Sequence, residues 1–159
     1  MRSGSNLHLF SIFTITILLI GACDRRDNDV IPDVFIDFTL DLNDPEFQGL
    51  NFVTGHLLVN ANTNNMGPPA AGYMGSGIIV YHSNPGEFNA YDRTCPHDFV
   101  TYQKVEVVNV DGIYAICPSC STSYALPGYG TPTDGPGRYP LKNYRTSYNG
   151  RFIRVWNRY

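Results

Sequence analysis

Apolar and polar positions alternate along much of this chain. Residues 34–40 (VFIDFTL) place every second side chain on one face, the period of a strand. Residues 77–82 (GIIVYH) predict a strand with a buried middle, and residues 88–92 another. Residues 104–110 alternate again, and Asp111-Gly112 offers the positive φ values of a tight hairpin turn. Residues 113–116 return and end at Cys117. The same device recurs at residues 143–148, Asn149-Gly150 and residues 151–156, where Asn-Gly is the strongest short hairpin signal. Beyond the N-terminal stretch no segment shows helical periodicity. The pattern predicts an all-β, antiparallel domain, with residues 92–126 as a small protruding lobe.

Two stretches break the alternation. Residues 60–77 are rich in Asn, Gly and Pro and predict a long irregular loop. Residues 126–140 (LPGYGTPTDGPGRYP) are dense in Gly and Pro, so neither ladder nor helix is expected there. That stretch is either a cover over one side of a site or a plain surface loop.

Composition narrows the function classes. A length of 159 residues suits one domain with short extras. A net charge of −3, with 16% charged residues, gives no basic face for nucleic acid, so that partner is not expected. Aromatics at 13% suit a β-rich core.

The N-terminus adds an address. Arg2 precedes an apolar run from residue 7 to residue 20, shorter than the roughly 20 apolar residues needed to span a bilayer. It ends Ile20-Gly21-Ala22-Cys23, which resembles the lipobox of bacterial lipoproteins. The resemblance implies a signal peptide at residues 1–22, cleavage before Cys23 and lipidation of its sulfur. Residues 23–33 would be the lipidated cysteine and a charged tether, and residues 34–159 the folded domain. The expected location is the cell envelope, membrane-anchored and facing the periplasm or exterior, where disulfides are permitted.

The remaining cysteines form two clusters, Cys95-Pro96-His97 and Cys117-Pro118-Ser119-Cys120. Together they offer three sulfurs and one imidazole, with metal-knuckle spacing. Each proline follows a cysteine directly and stiffens its loop.

The order Cys95-x-His97, Cys117-Pro118-x-Cys120-x-Thr122-x-Tyr124, Gly135-Pro136 and Pro140-Leu141 resembles the Rieske family from about residue 77 to residue 156. That family carries Cys-x-His, then Cys-x-x-His-Gly-Ser-x-Tyr/Phe, then a Gly-Pro loop and a final hairpin. The resemblance implies a Rieske-like β sandwich or barrel. It also implies a [2Fe–2S] cluster held by Cys95, His97, Cys117 and Cys120 and tuned by Thr122 and Tyr124. Single-electron transfer to a redox or envelope protein partner would follow, as a carrier rather than an enzyme.

Three departures accompany the resemblance. Cys120 stands where the family has its second histidine, Ser121 where it has glycine, and Thr122 where it has serine. Thiolate is a competent iron ligand, but its charge would lower the reduction potential. The signal region also lacks the arginine pair of the folded-export route, so a cluster would need assembly outside the cytoplasm. The residues leave three states open: an iron–sulfur centre, a structural zinc, or a metal-free site with two of the cysteines in a disulfide. With zinc or a disulfide, the domain would be a non-redox envelope module. Of the other polar residues, His56 and His82 read as non-ligands, Asp92 and Asp98 as local caps or solvated charges, Arg93 as water-facing or a thiolate neighbour, and Trp156 as core.

Overall fold

The computed structural model describes residues 30–157; the expected signal peptide, Cys23 and the first part of the expected tether lie outside the described residues. The described chain is antiparallel β, as the alternation predicts. Ten strands form two sheets. The larger sheet contains β1 (Asp37–Asp41), β2 (His56–Val59), β3 (Ile78–Asn84), β4 (Glu87–Asp92), β9 (Asn143–Tyr148) and β10 (Phe152–Trp156), in the order β1-β10-β9-β4-β3-β2. The smaller contains β5 (Asn109–Asp111), β6 (Tyr114–Ile116), β7 (Ser123–Ala125) and β8 (Thr131–Asp134), in chain order.

The run IIVY in β3 is buried on both faces, which explains why it does not alternate. Ile78 and Val80 enter one core with Phe38, Leu40, Phe47, Leu50, Ile153 and Val155. Ile79 and Tyr81 point the other way, into a second core with Tyr91, Cys95, Cys117, Tyr124, Leu126 and Leu141. Full burial of one such aliphatic side chain contributes about 1.5–3 kcal/mol. The second core therefore fastens the small sheet to the large one, and the cysteines are part of it.

Register at the sheet edge follows from the same period. Phe38 faces Val155 and Leu40 faces Ile153, all buried, while Asp37 and Asp41 take Arg154 and Arg151 on the solvent side. A slip of one residue would exchange these two sets.

Several local expectations are corrected. Pro96–Tyr102 is a short helix, α1, where none was expected. Its seven residues are too few to show helical periodicity. Residues 131–134 do form a strand, β8, despite Pro132, because β8 lies at the sheet edge where a missing N–H costs no ladder bond. Of residues 104–110 only 109 and 110 join a named strand, with an isolated bridge from Val107 to Thr94. In the β5–β6 hairpin Asp111 pairs with Tyr114, so the turn is Gly112-Ile113 and only Gly112 has positive φ, at 58°. Strands β2 and β7 were not anticipated. The loop at residues 60–77 is irregular as expected, broken by three short 3₁₀ turns.

Asp92 does cap Thr94 N locally, but it is not a solvated charge. It is fully buried and accepts from Tyr73 N, Ser76 Oγ, Thr94 N and Tyr144 Oη at 2.6–2.9 Å. It thereby ties the irregular loop, the first cysteine segment and β9 together. His82 is buried, with Nδ1 2.9 Å from Leu50 O and its ring stacked on Phe88. His56 opens β2 and is exposed. Arg93 reaches Val108 O through Nε and Nη2. Trp156 is half-buried under the Arg154 guanidinium.

Candidate metal centre

Two segments deliver the donors. The first runs from β4 into α1. Cys95 N donates to Glu106 O at 2.7 Å, which seats Cys95 as the N-cap residue of the helix. Pro96 occupies the first helical turn, where its missing N–H is harmless. Gln103, at φ 53°, ends the helix. The second segment leaves β6 at Ile116. Cys117 N and Cys117 O bond Thr122 O and Ser121 N, each at 3.0 Å, closing a tight knuckle. Ser121 sits there at φ 61°, the left-handed region that glycine occupies without strain.

The side chains converge. One donor atom from each of Cys95, Asp98, Cys117 and Cys120 lies within 4.8 Å of every other. Cys95 Sγ and Cys120 Sγ are 3.7 Å apart, and all three cysteines are free thiols. Cys117 Sγ donates to Asp98 Oδ2 at 2.9 Å. Tyr124 Oη lies 3.3 Å from Cys95 Sγ, and Cys120 Sγ donates to Thr122 Oγ1 at 3.2 Å. Backbone N–H groups face the sulfurs as well: that of Asp98 toward Cys95, those of Ser119 and Cys120 toward Cys117.

Burial dominates the electrostatics of the metal-free site. It pushes the Cys95 thiol up to about 11, against the opposing hydrogen bonds from Tyr124 and the Asp98 backbone. Burial, then the Asp98 carboxylate, pushes Cys117 higher still. Burial, then Cys95, also raises Tyr124. A divalent cation would reverse this balance, since a coordinated thiol is deprotonated outright.

Of the residues singled out from sequence, Cys95, Cys117, Cys120, Thr122 and Tyr124 come together. His97 does not join the four converging donors; Asp98 does. The reason is helical. Cys95 and Asp98 are three residues apart and share one face of the first turn, whereas a residue two positions on faces elsewhere. His97 is half-buried, its ring edge-on to Tyr102 at 6.3 Å. The signal for Asp98 was present in the sequence, as a proline directly after the cysteine and an acidic residue in the first turn. Lipidation at Cys23 lies outside the described residues.

The Gly-Pro stretch does cover the site. Gly137 N donates to Thr122 Oγ1 at 3.0 Å. A Cβ at Gly137 would lie 2.4 Å from Thr122 Cγ2, and one at Gly135 (φ 85°) 2.7 Å from Thr122 Cα. Both glycines are required by this close approach.

Zinc–sulfur bonds of about 2.3 Å in a tetrahedron set neighbouring sulfurs about 3.8 Å apart. The 3.7 Å between Cys95 and Cys120 matches that edge. A [2Fe–2S] cluster needs its ligands in two pairs, one on each iron, with the pairs held apart by the bridging sulfides. The converging donors form one compact group without an imidazole. As arranged, they fit one ion rather than a two-iron cluster.

No protein-family model matches the chain, and neither does any curated protein. Solved structures do match. A chain in the complex of reduced oxygenase and oxidised ferredoxin in carbazole 1,9a-dioxygenase is 18% identical, over 65% of this chain and 82% of that one, with a TM-score of 0.43. The Sphingomonas yanoikuyae B1 ferredoxin is 19% identical, over 52% of this chain and 76% of that one, with a TM-score of 0.38.

Proposed function

We propose that this protein is a metal-centred module of the cell envelope, held to the membrane through a lipid on Cys23. In it Cys95, Cys117 and Cys120 bind one metal ion that closes the small lobe. The observation that carries this reading is the convergence of three sulfurs from two separate segments, two of them 3.7 Å apart. The role of the ion is structural. It joins α1 to the β6–β7 knuckle inside the second core, where a buried thiol cluster without metal contributes little cohesion. With a fourth donor from the same compact group the set closes and leaves no open position, which does not suit catalysis. The lobe would then present a fixed surface to an envelope protein partner.

A second reading is a Rieske-like carrier of single electrons. The placement of Tyr124 and Thr122 against two of the sulfurs favours it, because hydrogen bonds to sulfur tune iron–sulfur potentials. It would require His97 to turn into the site and the sulfurs to separate into two pairs.

Metal, acid-labile sulfide and electron-spin resonance, measured on full-length protein exported by a native-like host, decide between them. One zinc per chain without sulfide is expected. Iron with matching sulfide and a reducible signal would establish the electron carrier instead.

A further inference from the structure

We propose that Asp98 is the fourth ligand, so that the site takes a single tetrahedral divalent ion of the zinc class through three thiolates and one carboxylate. This rests on the metal-centred reading above. The Asp98 side chain is fully buried. Its Oδ2 accepts from Cys117 Sγ at 2.9 Å, while its Oδ1 is a buried atom with no hydrogen-bond partner. A buried carboxylate with one oxygen unsatisfied is costly, and its usual compensation is a paired cation or a metal. No arginine or lysine forms an ion pair with it among the described residues. Arg93, the nearest along the chain, is turned to Val108 O, and Lys104 is paired with Glu106. One oxygen of the same carboxylate belongs to the compact group containing all three sulfurs. A carboxylate oxygen binds zinc at about 2.0–2.2 Å, shorter than sulfur does, so such a site needs little rearrangement.

Metal uptake conserves charge as follows. The divalent ion displaces the thiol protons of Cys95, Cys117 and Cys120 to solvent, and the Cys117-to-Asp98 hydrogen bond is replaced by two metal–ligand bonds. The resulting centre is net negative. The backbone N–H groups of Asp98, Ser119 and Cys120 and the hydroxyls of Tyr124 and Thr122 surround the sulfurs and offset that charge. His97 is left outside the coordination shell.

X-ray absorption at the zinc edge of the full-length, zinc-loaded chain tests this without any substitution. Three sulfurs and one light atom, with no outer-shell scattering from an imidazole ring, are expected. Imidazole scattering would overturn the assignment of Asp98 while leaving one bound zinc intact. Iron with sulfide, or no metal, would overturn the metal-centred reading itself. Two variants add a second readout by chelator competition. Asp98→Asn should weaken zinc binding by about 100-fold or more, above the 10–100-fold seen for outer-shell partners. His97→Gln should leave it within about twofold. The reverse order would also overturn the proposal.

Discussion

Cys117 Sγ donates to Asp98 Oδ2 at 2.9 Å, linking the knuckle after β6 to the first turn of α1. These residues are 19 positions apart and belong to different segments, one a knuckle and one a helix. The contact holds the Asp98 carboxylate against the sulfurs, which His97 does not join. It makes the donor set three sulfurs and a carboxylate, and most expectations about the protein's chemistry turn on it.

Cys120→Ser should abolish tight metal binding. Hydroxyl is a far poorer ligand than thiolate, and Cys120 lies on the tetrahedral edge with Cys95. The variant should retain its β circular dichroism, and zinc retention after dialysis against a mild chelator is the check. Full retention would show that Cys120 is not a ligand.

Ser121→Gly should stabilise the domain by about 1 kcal/mol. Ser121 holds φ 61°, where a side chain carries a strain of about 1–2 kcal/mol that glycine escapes, offset in part by the greater freedom of glycine in the unfolded chain. Urea unfolding of the metal-loaded protein measures it. A loss of stability would mean that the Ser121 side chain makes a contribution the structure does not reveal.

Gly137→Ala should loosen the cover over the site. The added Cβ would meet Thr122 Cγ2 at 2.4 Å and push residues 135–140 away from the knuckle. Overpacking of this kind costs about 1–3 kcal/mol. Cys120 should react with a thiol reagent several-fold faster in the metal-free variant than in the metal-free parent. An unchanged rate would show that the loop does not shield the sulfur.

The metal-free, reduced domain should lose stability as pH rises from about 9 toward 11. A folded-state pKa raised above the unfolded value adds stability below the unfolded value, and that stability disappears as pH climbs through the folded value. Cys95 is raised from 9.0 to about 11 by burial, and Cys117 and Tyr124 shift in the same direction. Denaturant midpoints across this range provide the measurement. Cys95→Ala should flatten the slope, and an equally steep decline in that variant would assign the effect elsewhere.

Much of the fold was legible because its strands either alternate or, like IIVY, pack on both faces. β9 is found where the pattern placed it, and β10 begins one residue later. β7 and β8 were not legible, since strands of three and four residues, the second in Gly- and Pro-rich sequence, take their order from neighbours rather than from local pattern. Three of the site's donors were legible from cysteine spacing. Asp98 was missed because its signal, Pro96 directly after Cys95 with an acidic residue in the first turn, marks a helix start rather than a cysteine spacing. Once the helix exists, a donor three residues after Cys95 shares its face and one two residues after does not. The burial of Asp92 was not legible for a similar reason: three of its four donors come from two distant segments, the loop at Tyr73 and Ser76 and strand β9 at Tyr144.

The most direct test is a joint count of metal and acid-labile sulfide in full-length protein purified without added metal from a host that exports it. One zinc per chain and no sulfide is the expected result. Two irons and two sulfides per chain would contradict a single-ion centre.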